Sequence, residues 1–201
     1  MASIYDLKPR FQNLLRPITT RLAAAGVTPN QITVAAILLS VTGGAAIALF
    51  PDRHFPLYCV PVVLLLRMAL NAIDGMLARE HDMQTAAGAF LNEIGDVVSD
   101  AALYLPFALI PGVPVALMVA IVMLAVISEM TGVVGVQVGG SRRYDGPMGK
   151  SDRAFLFGLL GLLLAAGLEP GPWLSFACYA VIALLSLTIL NRGRRAVQEV
   201  T

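Results

Sequence analysis

Arg67-Met68-Ala69-Leu70-Asn71-Ala72-Ile73-Asp74-Gly75-Met76-Leu77-Ala78-Arg79 closes an apolar run that begins near residue 56, and it sets charged and amide side chains among residues suited to lipid. Arg67, Asn71, Asp74 and Ala78 recur at intervals of four, three and four, which puts them on one face of a helix. The next apolar run carries Gly88, Asn92, Asp96 and Asp100 at intervals of four, again one face. Joined by a short connection, the two runs form an antiparallel hairpin whose polar stripes meet. In such a hairpin facing residues share a nearly constant index sum, which matches Asn71 with Asp96 and Asp74 with Asn92. Four oxygen-bearing side chains then cluster a turn or two from one membrane face, where a hard divalent cation such as Mg²⁺ or Mn²⁺ finds the ligands it prefers. Hydrogen bonding between helices is the simpler use of a lone Asn. Two aspartates together favour the cation, because neighbouring carboxylates in lipid are costly unless protonated or neutralised.

The rest of the chain fits a lipid solvent. Of 201 residues 57% are hydrophobic and 13% charged, with a formal net charge of +1; mean hydropathy is +0.76. Such a balance gives no global field for nucleic acid. A bilayer core takes about 20 helical residues to cross, and six runs qualify: 32–50, 56–78, 86–110, 114–138, 154–168 and 172–191. The fold class expected is therefore all-α, a polytopic membrane protein of six spans. Twelve of the fourteen Lys and Arg residues fall on the side that holds both termini and the 79–86 connection, Arg53 and Arg67 being the others. The positive-inside rule makes that side cytoplasmic, in the inner membrane of a cell.

Before the first span, Ile4, Leu7, Phe11, Leu14, Leu15, Ile18 and Leu22 recur with helical period among Lys8, Arg10 and Arg16. That pattern reads as an amphipathic helix lying on anionic membrane lipids, with a solvated helical tail as the alternative. Three segments follow: 1–30 interfacial, 31–192 the membrane domain, and 193–201 a cytoplasmic tail. Cys59 and Cys178 lie in apolar runs and imply no disulfide framework.

Asn71-x-x-Asp74-Gly75-x-x-Ala78-Arg79, eight residues, then Gly88-x-x-x-Asn92-x-x-x-Asp96, resembles the signature of the CDP-alcohol phosphotransferase family, D-x-x-D-G-x-x-A-R, eight residues, G-x-x-x-D-x-x-x-D. Six of the eight fixed positions agree. At residue frequencies of roughly 5 to 9%, chance agreement at one placement is on the order of one in ten million. Asn71 and Asn92 stand where the family has its first and third aspartates; each keeps a carbonyl oxygen and loses a charge. Metal binding should be weaker for it, or one of two metal positions empty, with Glu93 or the substrate diphosphate supplying further ligands.

The resemblance implies an enzyme that moves a phosphatidyl group from a CDP-linked lipid such as CDP-diacylglycerol to an alcohol, releasing CMP. In that scheme Asn71, Asp74, Asn92 and Asp96 hold the metal and Asp96 takes the acceptor proton. Asp74, Gly75, Ala78, Arg79 and Gly88 meet the nucleotide, and a homodimer is expected. Helix packing is the competing use of the two glycines, and snorkelling to the interface that of Arg79. Arg143, Lys150 and Arg153, in the cationic loop on the same side, suit an acceptor that carries phosphate; headgroup contact is the alternative for Arg142 and Arg143. Arg192, Arg194 and Arg195 read as membrane anchors. Arg67, twelve residues or about 18 Å of helix from Arg79, needs a buried partner. Index sum selects Asp100, with Glu129 as the second choice. Two other readings compete: a proton-linked transporter using Asp74, Asp96, Asp100 and Glu129 as a relay, and a silent relative that binds lipid. A transporter's inverted halves are absent from the sequence.

Overall fold

The computed structural model describes residues 4–201, with side chains from residue 10 onward. Ile4, Leu7 and Lys8, which contribute to the amphipathic pattern, therefore have side chains outside the described residues. Among the described residues there are helices and no strand. In chain order they are α1 (Ile4–Ala24), α2 (Pro29–Leu49), α3 (His54–Glu80), α4 (Ala86–Tyr104), a 3₁₀ turn (Leu105–Leu109), α5 (Val115–Gln137), α6 (Lys150–Ala165) and α7 (Pro172–Val200). The last of these continues without a break through the segment expected as a tail.

Local chemistry sets the ends. Thr28 and Gln31 form a reciprocal capping box before α2, the Thr28 N–H donating to Gln31 Oε1 at 3.0 Å and the Gln31 N–H to Thr28 Oγ1 at 3.4 Å. Pro29 occupies the first helical position, where a missing N–H costs nothing. Thr85 caps α4 by accepting from the Gly88 N–H at 2.9 Å. At the end of α6, Gly167 turns left-handed (φ +92°) and the Leu168 N–H reaches back to the Leu163 carbonyl at 3.0 Å. The orphan carbonyls are thereby satisfied.

Among the described residues four helices are long and apolar enough to cross a membrane: α2, α3, α5 and α7. With these the chain is a multi-pass membrane protein. The other two expected spans differ for physical reasons. α6 has only 16 residues and opens on Lys150, Asp152 and Arg153, while α4 spends its apolar character on Asn92, Glu93, Asp96 and Asp100.

The chain divides into two compact units, one of residues up to 42 with 62–99, the other of 43–61 with 100–201. In the first, Leu15 of α1 packs with Ile32 of α2 and with Ile73, Met76 and Leu77 of α3, all buried. α1 is thus fixed to the helix bearing Asp74, and its end is tied by Arg16 to Glu80 at 2.9 Å. In the second, α5 packs along α7 and against the 3₁₀ turn. Phe157 of α6 stacks on Tyr104 with ring centroids 3.9 Å apart and meets Phe107 edge-on at 5.3 Å. Each such aromatic pair contributes about 0.5–1.5 kcal/mol beyond its buried area.

Two prolines in this second unit share one arrangement. Pro61, inside α3, has no N–H to offer the Leu57 carbonyl, and Gly161 of α6 lies against that oxygen: a Cβ at 161 would sit 3.1 Å from it. Pro106, in the 3₁₀ turn, likewise has no N–H for the Ala102 carbonyl, and Gly44 of α2 lies so close that a Cβ there would collide with it. In lipid a freed carbonyl has no water to turn to. A glycine lets the neighbouring backbone approach and cover it with Cα–H contacts.

Candidate functional site

α3 and α4 carry the polar stripes, and one of the expected pairings is made between them. The Asn71 Nδ2 donates to Asp96 Oδ1 across 3.4 Å. Arg67, one turn deeper on α3 and only 3% exposed, donates to the Asp96 backbone carbonyl at 3.2 Å and stands 3.9 Å from its carboxylate. Asp96 is thus compensated from α3 by a charge and an amide. Asp74 is buried and accepts from the hydroxyl of Thr33 on α2. Asn92 and Glu93 are half-buried on α4. Among the described residues no three His, Cys, Asp or Glu side chains gather at one point, Asn71 and Asn92 standing where the family motif has carboxylates. What remains is an all-oxygen set of two carboxylates and two amides, the donor chemistry that suits Mg²⁺ or Mn²⁺.

Two motif glycines let polar side chains approach the backbone closely beside this cluster. A Cβ at Gly75 would lie 2.8 Å from Arg79 Nη2, so the absence of one lets the exposed guanidinium fold back over α3. A Cβ at Gly88 would lie 2.7 Å from Asn30 Oδ1. The start of α2 therefore closes against α4, beside a half-buried Ala78 on α3.

Arg67 meets Asp96 as described, and Asp100 has a partner in the second unit. Asp100 accepts from Arg153, at 2.7 Å from Nη2 and 3.2 Å from Nε. Glu129, the second choice for Arg67, accepts three arginines of its own unit: Arg142 at 2.9 Å, Arg153 at 3.0 Å and Arg192 at 3.3 Å. Arg153 and Arg192 are each 1% exposed. Arg192 is consequently no headgroup anchor; its Nη1 also donates to the Ser128 carbonyl at 2.5 Å and its Nε to that of Asp145 at 3.1 Å. The period of α7 carried the signal, since Leu185, Thr188 and Arg192 recur on one buried face.

The loop between α5 and α6 is drawn onto the same network. Arg143 donates to Asp145 Oδ2 at 2.8 Å and to Glu199 at 2.8 Å, and Arg195 pairs with Asp145 at 2.6 Å. The Arg143 N–H bonds the Gly132 carbonyl at 3.2 Å, and no side chain at 132 would fit beneath Arg142. Partial burial raises the Asp145 carboxyl, but the Arg143 hydrogen bond and the charges of Arg143 and Arg195 outweigh it and hold the group below its ordinary value. Lys150 is half-buried at the first turn of α6, next to Gly149, whose N–H donates to Asp152 at 2.9 Å.

Comparison with known proteins bears on both units. A model of the family "CDP-alcohol phosphatidyltransferase" matches residues 26–190. The inner membrane protein YnbA of Escherichia coli is 44% identical over 96% of this chain and 95% of its own. A phosphatidylinositol phosphate synthase of Mycolicibacterium smegmatis is 28% identical, over 98% of this chain and 90% of its own. Crystal structures of the Mycobacterium tuberculosis phosphatidylinositol phosphate synthase share the fold. The form with CDP-DAG bound has a TM-score of 0.74 at 19% identity over 92% of each chain. The form with manganese and citrate has a TM-score of 0.74 at 20% identity, over 90% of this chain and 87% of that one.

Proposed function

This chain belongs to the CDP-alcohol phosphatidyltransferase family, and from that premise we propose that its first unit holds a divalent cation and the diphosphate of a CDP-linked lipid such as CDP-diacylglycerol. The observation that carries the reading is the meeting of Asn71 and Asp96 at 3.4 Å on the helix that also bears buried Asp74. Mg²⁺ or Mn²⁺, held by Asn71, Asp74, Asn92 and Asp96, would neutralise the diphosphate. Arg79, lying over Gly75, adds charge toward the phosphates, while Asp74, Gly75, Ala78 and Gly88 meet the nucleotide as the family motif implies. Asp96 takes the proton of the acceptor hydroxyl as the new oxygen–phosphorus bond forms and the bond to CMP breaks.

Arg143 and Lys150 suit a phosphorylated alcohol; Arg153, the third cation expected there, is 1% exposed and held by Asp100 and Glu129, so it would reach an acceptor only by leaving one of these partners. α4 and α6 complete six spans, supported for α4 by 19 helical residues continued by the 3₁₀ turn. Both termini and the site face the cytoplasm, on the distribution of Lys and Arg. α1 lies on the membrane surface, supported by exposed Leu14 and Ile18 beside its packed stripe. The protein works as a homodimer, as the family motif implies.

The test is purified protein in detergent with Mn²⁺ and CDP-diacylglycerol, offered a panel of free and phosphorylated alcohols. CMP release that depends on both metal and acceptor is expected. Its absence across the panel, with the protein folded, would overturn the reading.

A further inference from the structure

Thr33 lies outside the two motif helices, on the second turn of α2, and touches both of them. Its hydroxyl contacts the Asp74 carboxylate on α3. Its methyl faces Gly95 on α4, where an added Cβ would come within 3.2 Å of Thr33 Cγ2 and 3.0 Å of Ile37 Cδ1. Position 95 precedes Asp96 in the chain, so one threonine bridges from the carboxylate of α3 to the backbone that carries the carboxylate of α4. Thr33 and Asp74 are 5% and 7% exposed, leaving water little access to either.

The hydroxyl has one proton and two neighbours, Asp74 and the Pro29 carbonyl at 3.2 Å. A carboxylate only accepts, so an ionised Asp74 is the stronger claimant on that proton. Bound in this way, Asp74 Oδ2 is held against α2, which favours one orientation of the carboxylate. Its remaining lone pairs then favour one direction.

We propose that Thr33 is a positioning residue of the site: its hydroxyl orients the Asp74 carboxylate for the divalent cation, and its methyl sets the spacing of α2 against Gly95. The inference rests on the reading of Asp74 as a metal ligand. Partners that orient metal ligands from behind are worth about 10- to 100-fold in metal affinity.

The experiment is Mn²⁺ titration of purified protein, read from the electron paramagnetic resonance signal of free Mn²⁺, with CMP release alongside. Thr33→Val keeps the shape and removes the hydroxyl; it should weaken Mn²⁺ binding about tenfold and lower kcat more than it changes KM for the lipid. Thr33→Ser restores the hydroxyl and should recover most of the affinity. Asp74→Asn is the control for the site itself. If Asp74→Asn weakens Mn²⁺ and Thr33→Val does not, the role of Thr33 is overturned and the site stands. If Thr33→Ser is as weak as Thr33→Val, packing alone is responsible and the hydroxyl has no positioning role. If Asp74→Asn itself leaves Mn²⁺ affinity unchanged, the metal site and the role of Thr33 fall together. Should Thr33→Val not fold, Thr33→Ala against Thr33→Ser makes the same comparison.

Discussion

Asn71 turns its amide toward the Asp96 carboxylate at 3.4 Å, and because a carboxylate can only accept, the atom facing it is the N–H. An aspartate at 71 would bring two carboxylates face to face instead. The asparagine thus lets the hairpin close without a cation between its helices.

Asn71→Asp should therefore make stability depend on metal. The metal-free variant should melt several degrees below the parent, and its Mn²⁺ affinity should rise about tenfold, roughly 1.4 kcal/mol; Asn92→Asp should act in the same direction. Thermal denaturation with and without Mn²⁺ checks both, and a metal titration that does not move places these side chains outside the ligand set.

Asp96→Asn and Asp96→Ala should abolish CMP release in a folded protein, since the proton acceptor and a ligand are lost together. Circular dichroism establishes the fold and a CMP assay the loss. Turnover like that of the parent would remove Asp96 from the chemistry.

Glu129→Gln should destabilise the second unit by about 3–5 kcal/mol, because buried Arg153 and Arg192 lose the charge they share. A variant with Glu129, Arg153 and Arg192 all replaced by apolar residues of similar volume should be less destabilised than the single variant. Denaturation in detergent compares them, and equal or larger loss in the triple variant would show that the burial cost is not what the network offsets.

Asp145 should give stability an acid limit. Its carboxyl titrates lower in the folded protein than in the unfolded chain, so its contribution is complete above the ordinary carboxylate value and fades as pH falls through the folded one. Between neutral pH and about pH 3, Asp145→Asn should flatten the dependence of the melting temperature on pH. An unchanged slope would mean that Arg143 and Arg195 do not hold this carboxylate in solution.

Much of the site was legible because helix period and the index sum of a hairpin are properties of sequence alone. They bring Asn71 to Asp96 without reference to any other helix. Thr33 was not legible in that way: a lone threonine near the start of an apolar run has no period, and its role arises only where α2 meets α3 and α4. Arg192 was misjudged for a related reason. Near a helix end, sequence distinguishes poorly between a cation that reaches the headgroups and one that turns inward, and Arg192 turns inward because Glu129, 63 residues earlier, supplies the charge it meets. α4 shows the converse, since the residues that make it the site are those that reduce its resemblance to a span.

The matched prolines and glycines tie distant positions into single heritable characters. While Pro61 leaves the Leu57 carbonyl without its helical donor, any side chain larger than hydrogen at 161 pushes away the backbone that covers that oxygen. Once 61 becomes an ordinary residue with an N–H, position 161 loses that reason to stay small. The same holds for 106 and 44. Lineages descended from this chain should therefore exchange the members of each couple together, and one that has kept the proline while losing its glycine should show a compensating shift in the helix that bears it.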